Sequence, residues 1–324
     1  MSTHALARSG RATARRRLAA LALVLGAAAI VAAQPPQDPG EPPGRPALSA
    51  STSLVVLPVT VLGAHDRVVP GLTKDDFAVY DNGVRQPIQF FGDSDTPVTA
   101  GLVIDSSGSM QTKLPDVISA ATAFVRTSNP RDQIFIVYFN ERVSMGLPPG
   151  TPFTSGTAEL QQALNAVSAR GMTALYDALV AALRHLREGA HQRKVLLVIS
   201  DGGDDASRTT RREAVAAAEQ ANVTIYTLGL FDRNDDDRDP GVLKQLARAT
   251  GGEAFFPRQT SDAAEVCTQI ARTIRSGYTL GYTPTGVDNA GERHTIQVVL
   301  LGAAAGRGYR VVTRSGYLTG PARW

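Results

Sequence analysis

Residues 101–110 read GLVIDSSGSM, an apolar run that ends in one aspartate and three serines. The apolar part is typical of a strand buried on both faces, and Asp105, Ser107 and Ser109 follow at its end. In open α/β sheets, ligands bind beyond the carboxyl ends of the strands. We therefore expect these three oxygen-bearing side chains to lie at a ligand site.

Three further apolar runs indicate more strands of the same kind, and they alternate with helical patterns: residues 133–140, 194–200 and 222–230. Thr210 followed by Glu213 predicts a capped helix start, and Asp239 before a proline predicts another helix that ends near Gly251. Alternation of this kind predicts a doubly wound, mostly parallel α/β sheet of Rossmann-like type over residues 97–277.

Short β patterns flank this predicted domain on both sides. Residues 51–96 contain a strand-like run and an Asn-Gly hairpin signal at 82–83, and residues 278–324 contain an alternating run at 294–300. Neither flank has enough strands to be stable alone, because an isolated hairpin is marginal in water. We therefore predict that the two flanks pack together as one small β subdomain.

The N-terminal segment has the composition of an export signal. Residues 1–33 hold five arginines, no acid and an apolar run from Leu18 to Val31, which is typical of a secretory signal peptide. The run is shorter than the about 20 residues that a spanning helix needs, so we expect membrane contact only if the segment stays uncleaved. Residues 34–50, rich in proline and glycine, are predicted to be an extended linker. The expected location is the periplasm, the cell surface or the medium.

The charge balance and the cysteine count bear on two features, a nucleic-acid partner and an internal disulfide. The net charge of +3 depends on the signal, because 28 basic and 30 acidic side chains remain without residues 1–33. A nucleic-acid partner is therefore not indicated. Cys267 is the one cysteine, so an internal disulfide is excluded, and we expect its thiol to be buried and inert.

Two other stretches place oxygen ligands near strand ends. Thr173 lies in a loop before a helix, and Asp201 directly follows the apolar run 194–200. With the first loop they make two carboxylates and three hydroxyls, a set of hard oxygens that suits Mg²⁺, with Mn²⁺ or Ca²⁺ as alternatives. The competing interpretation is that these side chains only cap turns and helices.

Residues 98–276 resemble a von Willebrand factor type A (VWA) domain, and the five ligand candidates match its metal-ion-dependent adhesion site. The flanking stretches "VPGLTKDDFAVYDNGVRQPIQFF" and "SGYTLGYTPTG" are similar to exported bacterial proteins with a VWA-related domain. The resemblance implies that Asp105, Ser107 and Ser109 lie nearest the metal. It also implies that Thr173 binds directly when a ligand is engaged and that Asp201 acts through water. The implied function is metal-dependent adhesion to a protein that supplies an Asp or Glu as the last metal ligand.

Four more aspartates are expected on the same rim, where they would shape the choice of partner: Asp204, Asp205, Asp235 and Asp236. Two other functions stay open, namely a metal-independent structural or assembly module of the cell envelope and a metal-dependent hydrolase. The hydrolase is less favoured, because none of the five histidines falls in the three loops and the chain has no nucleophile-elbow or P-loop motif. We expect no catalytic residue and no small-molecule cofactor.

Overall fold

The computed structural model describes residues 54–64, 67–93, 95–231, 238–285 and 291–319. The predicted signal peptide and linker, together with Asp235 and Asp236, lie outside these ranges. Within the described ranges the strands are β1 (Val55–Leu62), β2 (Phe77–Asp81), β3 (Val84–Gln86), β4 (Phe90–Gly92), β5 (Thr99–Asp105), β6 (Gln133–Phe139), β7 (Val143–Met145), β8 (Lys194–Ser200), β9 (Thr224–Gly229), β10 (Ala254–Phe255), β11 (Tyr278–Tyr282), β12 (Arg293–Leu300), β13 (Arg310–Val312) and β14 (Gly316–Leu318). The helices are α1 (Leu114–Thr127), α2 (Thr157–Asn165), α3 (Leu175–Leu186), α4 (Arg211–Gln220), α5 (Pro240–Thr250), α6 (Ala263–Ser276) and α7 (Gly302–Ala305).

The central sheet has six strands in the order β10-β9-β8-β5-β6-β7. All neighbours are parallel except β7, which runs antiparallel to β6 at one edge. β5 is buried along its whole length, as is expected for a parallel strand covered on both faces. The sheet places the carboxyl ends of β5 and β8 side by side, because Ile104 pairs with Ile199.

The helices of this domain form two groups, one of α1, α2 and α6 and another of α3, α4 and α5. Two of them begin as the sequence predicts. Thr210 Oγ1 accepts from Glu213 N at 3.3 Å, and Asp239 Oδ1 accepts from Val242 N at 3.1 Å. α5 ends at Thr250, and the next residue, Gly251, has a φ of +77° that favours glycine. These features confirm the predicted doubly wound α/β fold; α2 and β7 are elements that the sequence patterns did not indicate.

The flanking strands form two antiparallel four-stranded sheets, ordered β13-β1-β11-β4 and β14-β12-β2-β3. Each sheet mixes strands from both ends of the chain: β1 pairs with β11 and β13, and β2 pairs with β12. The β2–β3 turn has positive φ at Asn82 and Gly83, as a tight hairpin turn requires. The flanks therefore share one apolar core, distinct from that of the central domain.

A buried carboxylate joins the strands of this flanking core. Asp81 Oδ2 accepts from the hydroxyls of Tyr282 at 2.7 Å and Tyr317 at 2.9 Å, and its Oδ1 lies 2.6 Å from His294 Nδ1. These four residues come from β2, β11, β12 and β14. Because each is buried, the cluster couples the two ends of the chain through polar contacts as well as through apolar packing.

Candidate metal site

Asp105 is the innermost of the predicted metal ligands. It is the last residue of β5 and is fully buried. Its Oδ1 accepts a hydrogen bond from Ser107 N at 2.9 Å, and its Oδ2 accepts one from Ser200 Oγ at 2.7 Å. Burial, with a contribution from the charge of Asp201, raises the pKa of Asp105 to about 6. A cation bound nearby would therefore stabilise the ionised form of this carboxylate.

Asp201 contacts the first loop through Ser109. It follows β8 directly, and its Oδ2 accepts from Ser109 Oγ at 2.6 Å. Ser109 Oγ in turn lies 3.1 Å from Ser107 Oγ. The second oxygen of Asp201 accepts from Gly203 N at 3.1 Å, which fixes the carboxylate in its loop. Four of the five predicted ligands therefore form one connected cluster.

The loop that carries Thr173 is tied to both of the other loops through its backbone. Gly171 O accepts from Gly108 N at 2.9 Å, which links it to the first loop. Thr173 N donates to Asp205 Oδ1 at 2.7 Å, and Thr173 O accepts from Asp205 N at 3.0 Å, which links it to the Asp201 loop. Among the described residues, the Thr173 hydroxyl has no hydrogen-bond partner, so its oxygen is available to a ligand.

Gly171 shows why this loop takes its shape. Its φ is +81°, and a Cβ at that position would collide with the Glu141 carboxylate. Glu141 Oε2 also accepts from Met172 N at 3.2 Å. Glycine at this position therefore allows the Thr173 loop to make this turn beside Glu141.

Asp204 and Asp205, which the sequence predicts on a partner-binding rim, lie in the loop after Asp201, where Asp204 is half-buried and Asp205 is exposed. Both carboxylates also accept hydrogen bonds within the chain. Asp204 Oδ1 accepts from Tyr176 N at 3.1 Å and from Ser207 Oγ at 2.6 Å, and Asp205 holds Thr173 N. Tyr176 lies in the first turn of α3, where backbone N–H groups lack helical partners and attract carboxylates.

Lys113 is a buried residue beside the candidate ligands that the sequence patterns do not indicate. It stands just before α1, where a lysine is ordinarily solvated, but its side chain is 1% exposed. Its Nζ lies 3.8 Å from Asp201 Oδ2. No local pattern distinguishes it, because its burial depends on tertiary contacts, of which the one with Asp201 is an example.

The donor set fits a hard divalent cation. Within the described ranges, no cluster of three or more His, Cys, Asp or Glu side chains could hold a metal, so a site here depends on hydroxyl oxygens. The Ser107–Ser109–Asp201 cluster supplies such oxygens beside buried Asp105. Hydroxyl and carboxylate oxygens are ligands suited to Mg²⁺, Mn²⁺ and Ca²⁺.

Comparison with known proteins shows the family of this chain. The family model described as the von Willebrand factor type A domain matches residues 101–270, more than half of the 324-residue chain. This chain belongs to the von Willebrand factor type A family. VWA domains are generally adhesion or protein-interaction modules. None of the curated protein sequences matches this chain.

Several solved structures are similar to this VWA protein. A von Willebrand factor type A protein from Catenulispora acidiphila is 17% identical with a TM-score of 0.52, and the match covers 76% of each chain. That likeness shows the fold. Proximal thread matrix protein 1 from the mussel byssus, solved with zinc in its metal-ion-dependent adhesion site, is 14% identical over 56% of this chain and 48% of its own, with a TM-score of 0.46. The VWA domain of the pilus tip protein Mfa5 from Porphyromonas gingivalis is 14% identical over 56% and 95%, with a TM-score of 0.43.

Proposed function

We propose that this VWA protein binds a divalent cation, Mg²⁺ or else Mn²⁺ or Ca²⁺, and uses it to bind an acidic group of another protein. Five residues would hold the cation: Asp105, Ser107, Ser109, Thr173 and Asp201. When bound, the cation would supply a concentrated positive charge with a coordination position open to a partner's Asp or Glu. The observation that carries the proposal is the hydrogen-bonded chain of Ser107, Ser109 and Asp201 beside buried Asp105.

The residues of the chain have separate tasks in this proposal. Asp105 and Asp201 supply negative charge, and their backbone and serine partners fix the direction of each carboxylate. Thr173 would bind the ligand directly. This role is supported by its hydroxyl, which has no hydrogen-bond partner in the described part of the chain. Asp205 positions Thr173 by accepting from its N–H.

Binding rather than catalysis is favoured by the places of the described histidines. His185 Nε2 lies 2.7 Å from Pro152 O, and His191 Nε2 lies 3.0 Å from Arg131 O. His294 belongs to the Asp81 cluster of the flanking sheets. A metal-dependent hydrolase needs a general acid or base near the metal, and these three histidines are engaged elsewhere.

We propose that the protein works outside the cytoplasm, in the periplasm, on the cell surface or in the medium. The support is the composition of residues 1–33 as a signal and of 34–50 as a linker. The proposed division continues with a β segment at 51–96, the VWA domain at 97–277 and a second β segment at 278–324. Among the residues that the structure describes, no helix is long and apolar enough to cross a membrane.

Calorimetric titration with Mg²⁺ and Mn²⁺ tests the metal site. We expect the wild type to bind one cation, and Asp105→Ala and Ser107→Ala to bind at least tenfold more weakly. Ser106→Ala is the matched control, because Ser106 lies in the same loop but donates to Phe139 O, at 2.9 Å, and is not a candidate ligand. Equal metal affinity in the wild type and Asp105→Ala would refute the site.

A pull-down from the envelope or secreted fraction, with and without EDTA, tests the adhesive role. We expect EDTA and Thr173→Ala to release the same partner. The alternative function is a metal-independent structural or assembly module of the cell envelope. Partners that persist in EDTA would support the assembly module instead.

A further inference from the structure

Lys113 places a buried positive charge beside the candidate metal ligands. Its side chain is 1% exposed, that of Asp201 is 3% exposed, and its Nζ lies 3.8 Å from Asp201 Oδ2. Transfer of an ammonium group from water into a protein interior is costly unless an anion compensates. The Asp201 loop provides that anion.

The oxygen that faces Lys113 is also part of the ligand cluster. Asp201 Oδ2 accepts from Ser109 Oγ at 2.6 Å, so one oxygen connects the lysine to the predicted metal ligands. The three buried side chains of Asp105, Asp201 and Lys113 together carry a net charge of −1 when no metal is bound. A divalent cation brings the same group to +1.

We propose that Lys113 is the built-in counter-ion of the metal site: it balances Asp201 when no cation is bound, weakens cation binding, and leaves the loaded site with a positive charge that requires an acidic ligand. This inference rests on the proposed metal-binding function. Lys113 is a positioning and charge-setting residue and not itself a metal ligand, because an ammonium has no lone pair to offer.

The physical reason is the low effective dielectric of a buried site. Two like charges a few ångströms apart repel more strongly there than at the surface, so the ammonium and a divalent cation compete for the same carboxylate. A purely structural role for Lys113, in which its aliphatic stem packs the start of α1, predicts no effect of its charge on cation affinity. Lys113→Met separates the two roles, since methionine keeps an unbranched apolar stem without the charge.

The test compares wild type, Lys113→Met and Lys74→Met. Lys74 lies in an exposed turn of the flanking segment, so its variant makes the same change in net charge away from the site. Mn²⁺ affinity is measured by titration, and the melting temperature is measured in EDTA. We expect Lys113→Met to bind Mn²⁺ about tenfold more tightly. In EDTA we expect its melting temperature to fall by about 5 °C. Lys74→Met should match the wild type in both.

Each outcome decides the matter. Tighter Mn²⁺ binding together with a lower melting temperature in EDTA supports the counter-ion role. Unchanged or weaker Mn²⁺ binding by folded Lys113→Met, or a melting temperature in EDTA no lower than that of the wild type, overturns it, while intact metal binding by the wild type leaves the proposed function standing. If the wild type itself binds no Mn²⁺, the proposed function fails, and the effect of Lys113 on cation affinity fails with it.

A second variant covers the possibility that Lys113→Met does not fold. Lys113→Met combined with Asp201→Asn removes both charges together, so the buried carboxylate no longer lacks its counter-ion. We expect this double variant to melt in EDTA at a higher temperature than Lys113→Met alone. A double variant no more stable than Lys113→Met would show that the lysine does not balance Asp201, and would overturn the proposal.

Discussion

Asp81 links the β segments that flank the central domain, and its removal is a direct test of their shared core. Its carboxylate takes hydrogen bonds from Tyr282 at 2.7 Å and Tyr317 at 2.9 Å and lies 2.6 Å from His294 Nδ1, all in buried positions. Asp81→Ala deprives three buried groups of this acceptor. A buried donor left unsatisfied costs about 1–3 kcal/mol, and some relaxation is expected, so we predict a loss of about 3–5 kcal/mol in the free energy of unfolding.

Urea unfolding, followed by circular dichroism, measures this loss. Asp81→Asn keeps one acceptor oxygen and the shape of the side chain, so we expect it to lose less than Asp81→Ala. Asp75→Ala serves as the control, because Asp75 is exposed in the same flanking segment. A change below about 1 kcal/mol for Asp81→Ala would show that the cluster contributes little, since typical surface substitutions stay within about 0.5 kcal/mol. Metal affinity should be unchanged in Asp81→Asn, because the cluster belongs to the flanking sheets.

Three further predictions follow from single positions. Gly171→Ala adds both strain at φ +81° and a collision with Glu141, whereas Gly150→Ala adds strain alone at φ +84° in open space. We expect losses of more than 2 kcal/mol and about 1 kcal/mol respectively in unfolding free energy, with Mn²⁺ binding weakened only in Gly171→Ala. Burial raises the pKa of the Cys267 thiol to about 12, so the thiol stays protonated at pH 8. We therefore expect iodoacetamide to label it only after unfolding, and rapid labelling of the folded protein would contradict this. Thr210→Ala removes the cap of α4, and we expect a loss of about 1 kcal/mol in urea unfolding that Thr210→Ser largely avoids.

The fold and most of the hydrogen-bonded cluster of candidate ligands were predictable because they depend on local or topological rules. Apolar runs separated by helical patterns indicate a parallel sheet, and the carboxyl ends of such strands meet at one edge. Ser109 and Asp201, 92 positions apart, are indeed hydrogen bonded. The sequence patterns did not predict the α2 helix or β7, a three-residue edge strand. Both are short, and tertiary contacts stabilise such elements more than intrinsic propensity does.

The sequence by itself determined the main alternation of strands and helices, the family and the candidate oxygen donors at the strand ends, because periodicity and strand position are encoded locally. Only the tertiary structure decided which polar groups face one another. It buried Lys113 against Asp201, turned Asp204 and Asp205 onto the Thr173 loop and the start of α3, and placed Asp81 between residues about 200 positions away. The physical reason is that a polar side chain bonds to whatever partner remains once burial has removed water, and burial is a property of the whole packed chain.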